Sequence, residues 1–186
     1  MPETTKITAK SSKIKKKLKW AVISIGSLIL LLLLLFFIYI QFNKMDKAKS
    51  FTVNDPGLKN KILIATQGSA FKNSLSKGII NIYFNKDIYI KGVDVSELKN
   101  INSDNWPAIL IVNSVEYGNI HKTAMRFISS AKNKNKIFVV ATSSSGKKKP
   151  DKLTVDTITC ASKKQYYNNV LKRVIFKISK LFKIKE

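Results

Sequence analysis

The sequence predicts an α/β fold: a doubly wound parallel sheet of five strands in the order 2-1-3-4-5, preceded by one transmembrane helix. Three observations predict it. Residues 21–40 form an apolar run without a charged residue. After that run, short β-branched apolar segments alternate with segments that repeat apolar residues at helical spacing. Most of the short segments are uninterrupted, which is typical of strands covered on both faces.

The apolar run includes six consecutive leucines, Leu30 to Leu35. At about 1.5 Å per residue, a helix over residues 21–40 reaches roughly the 30 Å of a bilayer's hydrocarbon core. The run is longer than the apolar core of a cleaved signal peptide, and residues 41–49 lack a small-x-small cleavage pattern. We therefore expect an uncleaved signal anchor in the cell membrane, with the lipid bilayer as a partner.

Positive charge predicts the orientation and the domain boundaries. Residues 1–20 carry seven lysines, whereas residues 41–60 begin with only Lys44, Lys47 and Lys49. This bias favours a cytoplasmic N-terminus and an extracytoplasmic C-terminal domain, with the opposite orientation as the alternative. We divide the chain into a basic tail (1–20), a transmembrane helix (21–40), a linker (41–60) and the α/β domain (61–186).

Composition narrows the function classes. The 186-residue chain has a formal net charge of +23, but its lysines are scattered and its only arginines are Arg126 and Arg173. That pattern argues against nucleic acid as a partner and leaves anionic lipid or an acidic wall polymer. The single Cys160 and single His121 cannot form an intrachain disulfide or a Cys-rich metal site, so we expect no metal.

Five segments are predicted to be strands: residues 61–66, 87–95, 108–113, 136–142 and 155–160. Residues 87–95 alternate apolar and polar side chains, which favours a half-exposed strand at the sheet edge. Residues 96–105 are polar and leave room for a short helix. Since strands alternate with helical segments, we expect βαβ units.

Three helices follow from apolar periodicity. The first begins after Ser69, a good N-cap residue. The last starts near Lys163 and either packs on the sheet or lies on a membrane surface, with its lysines around an apolar face. The predicted apolar faces are Phe71, Leu75, Ile79 and Ile82; Ile120, Ala124, Phe127, Ile128 and Ala131; and Tyr167, Val170, Leu171, Val174, Ile175, Ile178, Leu181 and Phe182.

Small polar residues follow three of the predicted strands, in residues 66–73, 113–119 and 143–146. In a doubly wound sheet, ligands bind beyond the carboxyl ends of the strands, at the switch point between strands 1 and 3. The three loops are therefore the predicted ligand site.

In these loops the chain resembles the flavodoxin-like superfamily, over about residues 61–182. In flavodoxins the loop after strand 1 binds the phosphate of FMN. The resemblance implies that Thr66, Gly68, Ser69, Lys72 and Asn73 bind it here, with support from the positive end of the following helix. Phe71 and Lys72 depart from the usual run of small residues.

The second loop is similar to the flavin-flanking loop of flavodoxin-like enzymes. It also resembles the R-Y-G-x-x-H-like segment of quinone-dependent protoporphyrinogen dehydrogenases, with Glu116 in place of Arg. The resemblance implies that Tyr117 stacks on the flavin and that His121 delivers a proton. The remaining FMN-binding residues that it implies are Asn113, Ser114, Gly118 and Asn119 in this loop, and Ser143, Ser144 and Gly146 in the third.

The resemblance implies an FMN-dependent redox or electron-transfer protein with a redox partner or quinone. Two alternatives stay open. One is a flavin-free binding module at the cell envelope, which the departure in the first loop and the short connection over residues 143–153 favour. The other is a basic module that contacts anionic lipid or wall polymer through Lys147, Lys148, Lys149 and the C-terminal lysines.

Overall fold

The computed structural model describes residues 3–43 and 47–183, which belong to two separate units, Met1–Lys44 and Met45–Glu186. The first unit contains helix α1, Glu3–Asn43. Within α1, Lys19–Gln41 is long and apolar enough to cross a membrane, with a mean hydropathy of 3.0. The helix continues on both sides of the predicted 21–40 segment.

Within the described residues, the second unit has a sheet of six strands in the order β1-β3-β2-β4-β5-β6. Neighbouring strands from β3 to β6 in this order are parallel, and β1 is antiparallel to β3. The α/β class and the mostly parallel sheet are therefore confirmed. The strands are Phe51–Val53 (β1), Asn60–Thr66 (β2), Ile88–Asp94 (β3), Ala108–Ser114 (β4), Ile137–Ser143 (β5) and Asp156–Ala161 (β6).

The prediction of five strands was wrong because β1 lies in the predicted linker. Three residues are too few to show a periodicity, and the polar neighbours of β1 resemble a linker. The strand packs closely on its partner, since a Cβ on Gly92 would overlap the Phe51 ring. As a consequence β3, which we expected at the sheet edge, lies between β1 and β2.

The segment before β1 is fastened to the end of β3 by the buried carboxylate of Asp94. Its Oδ2 accepts a hydrogen bond from the Ala48 amide (2.8 Å), and its Oδ1 accepts from the Ser96 amide (2.9 Å) and hydroxyl (2.6 Å). Burial by itself would raise the pKa of Asp94, but the hydrogen bonds from Ser96 and Ala48, with a smaller contribution from His121, hold that pKa below its usual value.

Helices cover both faces of the sheet in this unit. They are α2 (Ala70–Tyr83), α3 (Lys122–Ser130) and α4 (Tyr167–Phe182), with short 3-10 turns at Val95–Asn100, Ser103–Asn105 and Lys164–Tyr166. Side chains alternate along each strand, so Ile62 and Ile64 pack under α2 and α4, while Leu63 and Ala65 pack under α3. Both cores are buried.

The predicted helix faces are confirmed with two exceptions. Phe71, Leu75 and Ile79 are buried in α2, but Ile82 is exposed and Tyr83 is buried in its place. The face predicted for α3 is buried throughout. In α4 a stripe of Val170, Val174 and Ile178 packs on the sheet, which confirms the packed interpretation of this helix, although Leu181 remains partly exposed.

The connection from β5 to β6 departs from the helical crossovers elsewhere. Residues 144–155, all of which the structure describes, contain no helix. Leu153 and Val155 instead pack against the α3 side of the core. The short connection noted in the sequence is therefore a loop, which leaves the carboxyl ends of β5 and β6 without a helix beside them on that side.

Candidate functional site

The central strands have polar side chains at their carboxyl ends, which together are called here the carboxyl edge of the sheet. Thr66, Asn113 and Thr142 are buried, although every residue before them in the middle of β2, β4 and β5 is apolar. Parallel strands bring these ends together, at the point where the chain order reverses between β2 and β4.

Hydrogen bonds join the loops after β2 and β4. The Gln67 side-chain oxygen accepts from the Asn113 amide group (3.1 Å) and from the Ser114 backbone N–H (2.8 Å). Asn113 Oδ1 in turn accepts from the His121 backbone N–H (3.0 Å). Sequence reasoning missed Gln67, although its position directly after a buried strand was a usable signal.

Lys72 is the largest polar side chain in the interior of this edge. It lies in the first turn of α2 and is 1% exposed. Its ammonium donates a hydrogen bond to the Ser114 hydroxyl at 2.7 Å, and the Ser114 hydroxyl lies 3.5 Å from that of Thr142. The residue that interrupted the expected phosphate loop therefore reaches across to the end of β4.

Burial perturbs the acid–base properties of this group. It lowers the pKa of Lys72 to about 8, although the negative charge of Glu116 and a smaller contribution from Cys160 act in the opposite direction. Burial also raises the pKa of the Cys160 thiol to about 11, against the nearby cations Arg173 and Lys72. Cys160 is therefore an unreactive thiol, whereas the pKa of the Lys72 ammonium lies close to neutral pH.

The start of α2 contributes to a separate cavity. Ser69 caps the helix, as predicted, by accepting a hydrogen bond from the Lys72 backbone N–H (3.4 Å). The hydroxyl of Thr66 donates to the Gln67 carbonyl (3.2 Å). A cleft of about 610 Å³, called here the lysine cleft, is lined by Lys47, Lys49 and Lys77 together with four predicted residues, Thr66, Gly68, Ser69 and Asn73.

A second cavity opens over the ends of β4, β5 and β6. This serine cleft has a volume of about 460 Å³, and its lining includes Glu116 and Lys163 together with the hydroxyl-bearing residues Ser114, Thr142, Ser143, Ser144 and Ser162. Among the described residues, the serine cleft and the lysine cleft share no lining residue. Of the predicted site residues, four thus line the lysine cleft and three line the serine cleft, while Lys72 and Gln67 bond to the end of β4.

The second predicted loop forms a tight hairpin. Glu116 and Asn119 exchange both backbone hydrogen bonds at 2.9 Å, and Tyr117 and Gly118 between them have φ values of 50° and 81°. Positive φ at both central positions is the requirement of a type I′ turn. The turn holds Tyr117 at its tip with its side chain fully exposed.

His121 is the N-cap of α3. Its Nδ1 accepts a hydrogen bond from the Thr123 backbone N–H (3.3 Å), so the proton of a neutral imidazole lies on Nε2. The Asn119 side-chain amide donates to the Tyr117 carbonyl (3.2 Å). His121 and Asn119 therefore both have structural roles in the second predicted loop.

The third predicted loop is held by its own serines. The Ser143 hydroxyl accepts a hydrogen bond from the Gly146 amide (3.0 Å), and the Ser145 hydroxyl accepts from the Lys147 amide (3.3 Å). Ser143 and Ser144 line the serine cleft. The amide of Gly146, one of the FMN-binding residues that the resemblance implies, is bonded within the loop.

A scan against models of known protein families gives no match, and a search among curated protein sequences finds no significant relative.

Proposed function

We propose that this is a single-pass membrane protein whose flavodoxin-like domain binds FMN at the carboxyl edge of its sheet and transfers electrons. Two observations support the flavodoxin-like assignment. The five mutually parallel strands lie in the order β3-β2-β4-β5-β6, which reverses at the β2–β4 pair. The polar groups of the edge are concentrated at that pair.

The observation that carries the proposal is the hydrogen bond from the buried Lys72 ammonium to Ser114, a residue of the serine cleft. Because Ser114 lines the cleft, this bond places the lysine charge directly behind a hydroxyl of the cleft wall. The lysine charge lies behind the hydroxyl, where low polarity strengthens its attraction for an anion.

We infer a different arrangement of FMN from the one that the resemblance implies. Thr66, Gly68, Ser69 and Asn73 line the lysine cleft, but the buried lysine bonds to Ser114 of the serine cleft. We therefore assign the phosphate to the serine cleft, with Ser143 and Ser144 as further donors. Tyr117, with its ring exposed at the hairpin tip, is the stacking partner for a flat ring system. Bound FMN would supply the redox chemistry. Any proton delivered by His121 comes from Nε2, since Nδ1 caps α3.

The test is FMN binding by the full chain in lipid nanodiscs. After excess FMN is removed, we expect a retained flavin absorption spectrum with quenched fluorescence. Lys72→Met should weaken binding by roughly tenfold, because it removes the buried positive charge behind Ser114 that attracts the phosphate. Lys77→Met is the matched control, since it removes an exposed lysine from the same helix and should leave the affinity within about twofold.

A colourless chain with an intact circular dichroism spectrum would contradict FMN binding. The second candidate, a flavin-free module that binds another phosphate-bearing ligand, is favoured by the separation of the two clefts. It would be tested by thermal shift with inorganic phosphate and with nucleoside monophosphates. A shift that Lys72→Met abolishes and Lys77→Met retains would support it.

The proposed topology can be tested because the chain has a single, buried cysteine. Its raised pKa and burial leave it unreactive toward maleimides, so an added cysteine reports alone. If the domain is extracytoplasmic, Lys148→Cys should react with a membrane-impermeant maleimide on intact cells, and Lys17→Cys should react only after lysis. The reverse result would put the domain in the cytoplasm.

A further inference from the structure

We propose that the outer face of α4 docks onto a bilayer surface that contains anionic lipid. The outer face is defined as the side of the helix opposite its buried stripe, and its residues are Asn169, Lys172, Arg173, Phe176 and Lys180. This proposal rests on the membrane anchoring proposed above, but it is independent of FMN.

The outer face is not needed to attach α4 to the domain. The buried stripe of Val170, Val174 and Ile178 packs against the sheet on the other side of the helix. Phe176 lies away from that stripe with 60% of its surface exposed. The ring is therefore accessible to a partner outside the domain, and it is the charge around it that distinguishes this position.

Cations surround this aromatic ring. Lys172, Arg173 and Lys177 line a shallow cleft of about 370 Å³ together with Phe176. Helix α4 contains no acidic residue. Asp156 on β6 forms an ion pair with Lys177 from the side, and burial together with the charge of Lys180 lowers the pKa of Lys177.

An exposed aromatic side chain among cationic side chains matches the chemistry of an anionic bilayer surface. The ring can enter the interface between headgroups and acyl chains, while the cations contact lipid phosphates. Stacking on nucleic acid bases would also use an aromatic ring, but here one ring stands alone among the cations. The apolar segment Lys19–Gln41 favours the lipid further, because an inserted anchor keeps the attached domain at high effective concentration near the bilayer.

The experiment uses the full chain in nanodiscs of phosphatidylcholine alone or with about 30% phosphatidylglycerol. An environment-sensitive dye on Asn169→Cys reports the outer face, and headgroup spin-labelled lipid quenches it. We expect at least about threefold stronger quenching in the anionic discs, and its loss at about 0.5 M salt. Phe176→Ser should reduce the quenching at least about twofold.

Two triple variants separate this face from general positive charge. Lys172→Gln, Arg173→Gln and Lys180→Gln together should reduce quenching to the level of neutral discs. Lys147→Gln, Lys148→Gln and Lys149→Gln remove the same charge from the loop after β5 and should leave quenching intact. Both triple variants should retain FMN binding, so failure of that proposal would show separately.

Three results would overturn this inference. Equal quenching in neutral and anionic discs would overturn the inference. Equal losses in the two triple variants would reduce the effect to net charge and overturn it as well. A chain that fails to co-elute with the discs would overturn the anchor and this inference together.

Discussion

Asp94 and Lys72 are both buried charged residues at the carboxyl edge of the sheet, but their surroundings act on the two charges in opposite directions. Three hydrogen bonds stabilise the Asp94 carboxylate and hold its pKa below the usual value. Burial destabilises the Lys72 ammonium and lowers its pKa to about 8. The Asp94 charge therefore stabilises the folded state, whereas burial of the Lys72 charge destabilises it.

The comparison indicates where a ligand would act. Asp94 receives donors from the chain itself, from Ala48 and Ser96, and so completes a structural link between the segment before β1 and the end of β3. Lys72 faces a serine that lines an open cleft. An anion in that cleft would favour the charged lysine, whereas no ligand is needed to explain Asp94.

The largest expected effect is that of Asp94→Ala. It leaves the buried Ala48 amide and the partly buried Ser96 amide without their acceptor, which should lower the free energy of unfolding by about 3 kcal/mol. Urea unfolding of the full chain in detergent micelles measures it, with the buried Trp106 as the fluorescent probe in a Trp20→Phe background. The exposed Asp87→Ala is the matched control and should cost less than about 0.5 kcal/mol.

The effect of Asp94→Ala on the free energy of unfolding should depend on pH. Because the folded pKa of Asp94 lies below its usual value, its stabilising contribution is present above about pH 4 and is lost as pH falls through the lowered pKa. The gap between the Asp94→Ala variant and the parent should therefore narrow in acid. A gap that stays constant down to about pH 2 would show that the carboxylate charge is not what fastens the segment.

The next effect concerns Lys72, whose buried charge destabilises the fold, unlike the charge of Asp94. Between about pH 8 and 10.5 the unfolded chain binds more protons at this residue than the folded one, so the free energy of unfolding rises with pH. The rise from pH 7 to 10 should be about 2 kcal/mol greater in the parent chain than in Lys72→Met. Parallel curves for the two chains would contradict the perturbed lysine, and Lys77→Met should follow the parent.

Asp94 and Lys72 also show how much of the structure could be predicted from the sequence. The continuous apolar strands and the periodic helix faces predicted the α/β class, because burial on both faces of a sheet leaves a direct record in residue type. Asp94 looked like one polar residue in an alternating strand, since its partner Ala48 lies 46 positions away. No local pattern predicts a contact with a segment that resembles a linker.

The positions of the polar residues at the strand ends could also be predicted in part. The strand ends were identified correctly, as polar residues directly after apolar runs, and Ser69 was recognised as a helix cap. Lys72 was noted as a departure from a phosphate loop, but its direction was not predictable, because a lysine on a helix is usually solvated. Its hydrogen bond to Ser114, across 42 positions, depends on how α2 packs. The division into two clefts follows from that packing.

The smallest effect tests whether the helix start and the buried lysine are separable. Ser69→Ala removes the cap of α2 and should lower the free energy of unfolding by about 1 kcal/mol. Ser74→Ala, at an exposed position of the same helix, is the control and should change it by less than about 0.3 kcal/mol. If the core contacts of α2 hold Lys72 in place, Ser69→Ala should keep the full rise in stability between pH 7 and 10. Loss of that rise would show that the cap, rather than the packing of Phe71 and Leu75, positions the lysine beside Ser114.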